Sequence, residues 1–225
     1  MQIGIQKINM EHQIGIHLNL PEDITQKIFA LQKKLKLGYE GQHETIPHIT
    51  MHLAKFPKKN FKKLLNFLNN LNIKPFEIKI FKVSNEFNKM HKNYFLDLEI
   101  VNDKILYNFH KKIVLMVDKM RNKQIRQKDL QRIKNGKFSR QEILMIKKHG
   151  YVRVMKYFVP HITLGEINPD SQVKDKINII KKELAKLKNK TFTVDSFTIG
   201  SFVWDNKKNQ FIDKLAQYHT IKLKQ

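Results

Sequence analysis

The chain has 225 residues, 41% of them hydrophobic, which suits one domain with a buried core and excludes a chain that is disordered throughout. It contains no cysteine, so disulfides, zinc–thiolate centres and cysteine nucleophiles are all excluded. Lysine and arginine total 43 against 20 acidic residues. The resulting net charge of +23 favours nucleic acid or a nucleotide as partner, unless the lysines only form a solvated surface.

The first twenty residues alternate apolar and polar positions and lack the continuous apolar block of a signal peptide. No apolar run approaches the length that a membrane span needs. We therefore expect a soluble, intracellular protein of the cytoplasm, a monomer with no membrane partner.

In chain order, the first predicted element is a strand, because apolar residues recur at period two from Ile14 to Leu20. A helix follows from Pro21, which suits a first turn, to Gly38, which suits a helix end. The next elements are a strand at 46–55, a helix at 58–71, a hairpin of two strands at 76–83 and 94–101 around a polar loop at 85–93, and a helix at Lys104–Met120 with Asn102 or Asp103 as its cap.

A basic segment interrupts this pattern at residues 121–150. The segment is predicted to be helical in two pieces, and Ser139 and Glu142 have the spacing of a capping box. After it, the sequence predicts a strand at 152–164, a helix from Pro169 or Asp170 to Lys188, and strands at 191–202 and 211–223.

The predicted order is β-α-β-α-β-β-α, a basic helical insertion at 121–150, and then β-α-β-β. Mixed patterning with hairpins predicts an α+β fold rather than a doubly wound parallel sheet. The two halves of the chain resemble loose copies of one strand–helix–strand unit. We therefore expect residues 1–225 to form a single domain with two similar halves.

One tetrapeptide occurs twice, as Pro-His-Ile-Thr at 47–50 and again at 160–163. Both copies lie where the pattern predicts a strand. Side chains alternate across a strand, so His48 and Thr50 are expected on one face, as are His161 and Thr163, with the isoleucines packed behind. If the two strands are close in one sheet, two imidazoles and two hydroxyls meet in a groove.

Two imidazoles are what cleavage of a phosphodiester needs. One takes a proton from the attacking oxygen and the other gives a proton to the leaving oxygen. Threonine hydroxyls can donate to the nonbridging phosphate oxygens and stabilise the charge that builds there. This chemistry requires no metal, and we expect no cofactor.

The paired His-x-Thr motifs, about a hundred residues apart in an α+β chain, resemble those of the 2H phosphoesterase superfamily. That superfamily includes LigT-like RNA 2′,3′-cyclic phosphodiesterases, enzymes that trim small nuclear RNA ends, and enzymes that cleave 2′,5′-oligoadenylates. The resemblance implies two pseudo-symmetric lobes with antiparallel sheets around a central groove. It implies that His48 and His161 are the catalytic pair and that Thr50 and Thr163 hold the phosphate. Many relatives have a basic residue shortly after the second motif, where this chain has Gly165 and Glu166.

Three further residues are candidate substrate-binding groups: Tyr157, Phe202 and Arg153. The two aromatic rings could stack on a base, or could equally belong to the core. His52 continues the face of His48 and could line the groove, although a surface or supporting position is favoured. His17 and the other histidines have no repeated partner, and structural positions are expected for them.

His43 and Glu44 begin a segment that superficially resembles the zinc-protease motif H-E-x-x-H. The spacing is one residue too long, and Pro47 would break the helix that this motif requires. Residues 119–156 contain thirteen lysines and arginines against two acidic residues. This stretch is either an arm that holds an RNA backbone near the groove or a solvated helical hairpin.

The leading hypothesis is a metal-independent enzyme that cleaves a 2′,3′-cyclic phosphate or a 2′-linked phosphodiester of an RNA end or nucleotide. A second hypothesis is hydrolysis of a signalling 2′,5′-oligoadenylate or cyclic oligonucleotide. A third, of another class, is an RNA-binding protein without catalytic activity, although none of the four motif residues is lost.

Overall fold

Hydrogen-bonded strands and the helices packed on them give the protein an α+β fold. The computed structural model describes residues 10–35, 37, 46–88, 92–170, 173–205, 210–211 and 216–224. Several segments that the predictions concern lie outside these residues: positions 1–9 of the stretch found to lack a signal peptide, the helix end at Gly38, His43 and Glu44 of the protease-like segment, His91, and part of the polar loop at 85–93.

The described strands are β1 (Met10–Asn19), β2 (His48–Lys55), β3 (Phe76–Asn88), β4 (Asn93–Ile100), β5 (His161–Ile167), β6 (Thr191–Val194), β7 (Ser196–Asp205), β8 (Gln210–Phe211) and β9 (Gln217–Lys222). The described helices are α1 (Glu22–Leu35), α2 (Phe61–Asn69), α3 (Lys104–Met120), α4 (Gln127–Lys134), α5 (Arg140–His149) and α6 (Val173–Leu184). Short 3-10 turns occur at Lys58–Asn60, Met155–Tyr157 and Ala185–Leu187.

Within the described residues, the strands form one sheet in the order β6-β3-β4-β5-β2-β1-β7-β8, with β9 also paired to β7. Each of these strand pairs is antiparallel. The middle of this order is the pair of β5 and β2, which are joined through Ile162 and Ile49. The two strands that carry the repeated motif are therefore neighbours at the centre of the sheet. The division into two lobes stays a prediction.

The core lies between the sheet and the helices. Ile14, Ile16 and Leu18 of β1 have no exposed surface, and Ile49 and Ile162 are equally buried. Burial of such side chains contributes about 1.5–3 kcal/mol each. The opposite face of β2 and β5 carries the motif histidines and threonines, which are half-buried. The period-two pattern thus separates a packed face from a polar face.

One helix spans the residues that the sequence predicts, and a second begins at its predicted cap. Helix α3 spans Lys104–Met120, and Asp103 caps it by accepting a hydrogen bond from the Leu106 N–H. Helix α5 begins with the predicted capping box of Ser139 and Glu142, in which each side chain accepts from the backbone of the other residue. The sequence is sufficient to place these caps, because each cap satisfies backbone groups within a few residues. None of the described helices is long and apolar enough to cross a membrane.

The basic segment is fastened to the rest of the fold by Arg121, whose side chain is 1% exposed. Its guanidinium donates to the Asp118 carboxylate at 3.0 Å and to the Lys148 carbonyl oxygen of α5 at 2.6 Å. Asp118 is also bound to His149. Buried charge of this kind requires full pairing, and here the pairing ties α3 to the end of α5. The status of residues 121–150 as an insertion stays a prediction.

Three predicted strands are wrong in extent. The strand predicted at 76–83 continues to Asn88 as β3, into the predicted polar loop. The strand predicted at 152–164 begins only at His161, because the Met155 N–H donates to His110 of α3 and residues before the motif form a 3-10 turn. The strand predicted at 191–202 is two strands that separate at Asp195. Of these, β6 pairs with β3 and β7 pairs with β1, at opposite halves of the sheet.

Candidate functional site

The two motifs face each other at the centre of the sheet. Because β2 and β5 are antiparallel and Ile49 pairs with Ile162, His48 lies across from Thr163. By the same register, Thr50 lies across from His161. All four polar side chains are half-buried, and the structure therefore brings the predicted residues together on one face.

The strand of the first motif contains a bulge immediately after the motif. His17 of β1 pairs with Thr50, but the next pair is Ile16 with His52, which leaves Met51 as the extra residue. A bulge reverses the alternation of the residues that follow it. His52 is consequently buried with no exposed surface, on the side of Ile16, and its predicted continuation of the His48 face is wrong.

The second motif is followed by an equivalent bulge. Asp97 of β4 pairs with Thr163, but the next pair is Leu96 with Gly165, which leaves Leu164 as the extra residue. Gly165 has a φ of 142°, in a region that favours glycine, and this explains the glycine at the position. The repeat therefore extends beyond the tetrapeptide to the strand geometry around it.

Both motif imidazoles are oriented by the same backbone contact. His48 donates from Nδ1 to the Ile46 carbonyl oxygen at 2.8 Å, and His161 donates from Nδ1 to the Val159 carbonyl oxygen at 2.8 Å. With the proton on Nδ1, the Nε2 atom of a neutral ring carries the lone pair. Each ring is thus held in the tautomer that can accept a proton at Nε2.

His48 lies in a desolvated environment beside a third histidine. Burial lowers the pKa of His48, although its hydrogen bond to the Ile46 carbonyl partly opposes this, and the charge of His161 lowers it further. The ring centroids of His17 and His48 are 4.1 Å apart. Burial, followed by the proximity of His48, lowers the pKa of His17 well below its ordinary value. Both rings are therefore neutral at pH 7.

Gly15 makes room for the His17 ring. A Cβ atom at position 15 would lie 2.6 Å from Nε2 of His17, and also close to the Phe202 ring. A larger residue would therefore displace the His17 imidazole from its present position. The glycine is needed here because of a close approach rather than an unusual φ.

His161 has a different set of neighbours. Arg153 donates from Nη1 to Nε2 of His161 at 2.9 Å, and both residues line a cavity of about 130 Å³ together with Asp97 and Glu99. The pKa of Asp97 is raised by burial, against the opposing effects of the His161 charge and a hydrogen bond with Thr163. The second motif therefore has one basic side chain, Arg153, and two acidic ones, Asp97 and Glu99, beside it.

The sequence matches two protein families. Residues 64–212 match the family described as protein of unknown function (DUF1045), and residues 18–85 match the family described as LigT like phosphoesterase. The chain belongs to the DUF1045 family and to the 2H phosphoesterase superfamily. The superfamily is one of phosphoesterases, which are hydrolases. No curated protein matches the sequence significantly.

Solved structures share the fold of this 2H phosphoesterase at low identity. LigT of E. coli, crystallised with 3′-AMP, is 13% identical, with 96% of this chain and 99% of that chain covered and a TM-score of 0.54. TT0787 of Thermus thermophilus is 12% identical, with 94% and 97% covered and a TM-score of 0.50. A structure described as a phosphoesterase is also 12% identical, with 96% and 99% covered and a TM-score of 0.51.

The three predicted substrate-binding residues of this 2H phosphoesterase have different positions. Arg153 lies at the site through its contact with His161. The Tyr157 hydroxyl donates to the Gln141 side chain of α5, and the ring is half-buried. Phe202 is 8% exposed and pairs with Gln13, on the face of β1 that also carries Gly15 and His17, so its stacking role stays a prediction.

Sequence reasoning missed His17, Asp97 and Glu99 as residues of this site. They lie on β1 and β4, which flank the motif strands, and neither strand carries a repeated motif. A weak signal was present, since His17 and Asn19 fall on the polar positions of the period-two pattern in β1. Among the residues that the structure describes, no group of three or more His, Asp or Glu side chains is placed to hold a metal ion.

Proposed function

We propose that the protein is a metal-independent phosphodiesterase that acts on 2′,3′-cyclic phosphates or 2′-linked phosphodiesters of RNA ends or nucleotides. In this proposal His48 and His161 are a general acid/base pair, and Thr50 and Thr163 donate to the phosphate. The observation that carries it is the meeting of two identical His-x-Thr motifs on adjacent central strands, with each imidazole held through Nδ1.

The proposed reaction uses the two Nε2 atoms. A phosphate on the polar face of β2 and β5 would have an imidazole on each side, one to accept a proton from the attacking oxygen and one to protonate the leaving oxygen. General acid and base catalysis of this kind typically contributes about 10²–10⁴-fold each. The proton transfers need no bound metal, because the imidazoles themselves supply the acid and the base.

The hydroxyls and the guanidinium would stabilise charge on the phosphate. Thr50 and Thr163 lie across from the histidines, so their hydroxyls can donate to nonbridging oxygens that gain charge in the transition state. Arg153 is exposed and donates to Nε2 of His161. An entering phosphate would attract this guanidinium and free Nε2 for proton transfer.

A small nucleotide is the alternative substrate, in the form of a 2′,5′-oligoadenylate or a cyclic oligonucleotide. The observation that favours it is that some arginines of the basic segment are buried within the protein and cannot contact an RNA backbone. Arg121 is 1% exposed and Arg126 is 9% exposed, and Arg126 pairs with Asp129 at 2.7 Å. E. coli LigT, which shares the fold, has been crystallised with 3′-AMP, a mononucleotide.

The test is incubation of the protein in EDTA with a panel of substrates and identification of the products. The panel contains 2′,3′-cyclic nucleotides, 2′,5′-linked and 3′,5′-linked oligonucleotides, and cyclic dinucleotides. We expect cleavage of cyclic phosphates or 2′-linked diesters in EDTA, with 3′,5′-linked DNA uncut. Activity that disappears on chelation and returns with one divalent metal would refute the mechanism, and no cleavage of any panel member would refute the function.

A further inference from the structure

We propose that the strands beside the two motifs assign the catalytic roles, with His48 as the base and His161 as the acid, and with Asp97 and Glu99 as positioning residues for His161. The proposal rests on the phosphodiesterase function proposed above. Within the motifs the two histidines are equivalent in sequence, strand position and Nδ1 contact. Any difference between their roles must therefore come from the residues that surround them.

The positions across from the two threonines carry opposite chemistry. His17 of β1 pairs with Thr50. Asp97 of β4 pairs with Thr163. Because the two bulges follow the motifs at the same point, His17 and Asp97 occupy equivalent places in the repeat. An imidazole stands beside the first motif where a carboxylate stands beside the second.

The positions across from the two histidines differ in the same sense. Asn19 of β1 pairs with His48, and its amide is engaged with Ser196 and Thr198 of β7. Glu99 of β4 pairs with His161. A neutral amide therefore faces the first histidine, and a carboxylate faces the second.

The first environment favours a neutral imidazole. The ring of His17 lies against that of His48, and Nδ1 of His17 is buried without a hydrogen-bond partner within the described part of the chain. Burial lowers the pKa of both histidines. A ring that is neutral before substrate binds, with its lone pair at Nε2, is ready to accept a proton.

The second environment places two carboxyl side chains beside the imidazole. Asp97 and Glu99 line the cavity beside His161, and the charges of Asp97 and His161 attract each other. Glu99 shares its charge with Lys82 at 3.5 Å. Arg153 opposes protonation while it donates to Nε2, but it is exposed and lies in the same cavity. Once the guanidinium turns to the phosphate, Asp97 and Glu99 remain beside the His161 ring as its acidic neighbours.

The proposed reaction on a cyclic phosphate is a hydrolysis in which each histidine transfers one proton. Water attacks phosphorus and gives a proton to Nε2 of His48, the bond from phosphorus to the leaving ribose oxygen breaks, and that oxygen takes the proton from Nε2 of His161. The products are a phosphomonoester and a free ribose hydroxyl. His48 ends protonated and His161 neutral, and exchange of protons with water restores both.

Two substrates that differ only in the leaving group test the assignment. One is a 2′-linked dinucleotide, whose leaving ribose alkoxide needs a proton. The other is the 2′-(4-nitrophenyl) phosphate of the same nucleoside, whose leaving phenolate is stable without one. We expect His161→Ala to lose about 10²-fold or more on the dinucleotide and less than about 10-fold on the nitrophenyl ester. His48→Ala should lose about 10²-fold or more on both.

Asp97→Asn and Glu99→Gln test the positioning role with nearly isosteric changes. Each should lower turnover of the dinucleotide about 10-fold and leave turnover of the nitrophenyl ester within about 3-fold. A purely structural role would lower both alike and would contradict this part. Sparing of His48→Ala on the activated ester, or equal losses in both histidine variants, would overturn the assignment. If the parent protein cleaves neither substrate and no 2′,3′-cyclic nucleotide either, the proposed function itself fails.

Discussion

The ring centroids of His17 and His48 are 4.1 Å apart, and the two ring planes are at 58° to each other. This contact joins a residue without any recognisable motif to one of the two repeated histidines. Burial lowers the pKa of both rings, and the charge of His48 lowers the pKa of His17 further. The consequence is measurable in the pH dependence of catalysis.

We predict that activity persists below pH 6.5. Burial lowers the pKa of His48 from its ordinary value of 6.5, so the neutral ring that accepts a proton is present at pH 6.5 and is lost only as the pH falls further. The rising limb of kcat/KM against pH should accordingly have its midpoint below 6.5. A midpoint at or above 6.5 would exclude a buried, neutral His48 as the base.

We predict that Arg121→Met destabilises the protein by about 3 kcal/mol or more. The substitution leaves Asp118 without its guanidinium and removes the donor from the carbonyl oxygens of Gln124, Lys147 and Lys148. Urea denaturation gives the free energy of unfolding. Arg153→Met is the matched control, since that side chain is exposed and its loss should change the free energy of unfolding by less than about 0.5 kcal/mol. Equal stability of the two variants would show that Arg121 does not fasten the basic segment.

How much the sequence predicts depends on the range over which each signal acts. The bounds of α3 and the capping box of α5 are predicted well because the caps satisfy groups a few residues away. The separation of β6 from β7 at Asp195 is not predicted, because period-two alternation is the same whichever strand becomes the partner.

Some residues of the candidate site are also predictable from the sequence, and others are not. The pairing of two strand-borne motifs was foreseeable, since repetition of Pro-His-Ile-Thr suggests two similar halves. The position of His52 was not, because a bulge at Met51 reverses the alternation that placed it beside His48. Asp97 escaped notice for another reason. Its importance comes from the register between β4 and β5, which the sequence does not reveal.

We predict that Thr50→Val and Thr163→Val each reduce turnover by about 10-fold to 10²-fold. Valine preserves shape but removes the donor to the phosphate, which corresponds to about 1–3 kcal/mol of charge stabilisation. Thr50→Ser and Thr163→Ser are the matched controls, because serine keeps the hydroxyl and should keep most of the activity. Steady-state kinetics decide this. Equal loss in the serine and valine variants would remove the hydroxyls from the proposed mechanism.

The exposed cations of the basic segment distinguish an RNA substrate from a small nucleotide. Because Arg121 and Arg126 are turned inward, the residues to neutralise are other exposed ones: Lys134, Lys137, Arg140, Lys147 and Lys148. If they hold an RNA backbone, their replacement by Gln should flatten the slope of log affinity against log salt by about 1–3 for single-stranded RNA.

The control for that experiment is replacement of exposed lysines on and before α2: Lys58, Lys59, Lys62 and Lys63. This change removes a similar amount of charge from another surface and should leave the salt dependence steeper than in the first variant. Hydrolysis of a 2′,3′-cyclic mononucleotide should be nearly unchanged in both. If long RNA shows no steeper salt dependence than the mononucleotide in the parent protein, the segment is solvated surface and a small nucleotide is favoured as the substrate.

The most direct test of the account is the rate of diester cleavage in His48→Ala, His161→Ala and the double variant, measured in EDTA. Each single change should cost about 10²–10⁴-fold, and the double change little more than the worse single one, because an acid and a base that act in one step are not additive. His219→Ala is the matched control, since that residue pairs with Ile199 of β7 away from the motif strands and should retain activity. Near-normal turnover in either single variant would contradict the two-histidine mechanism.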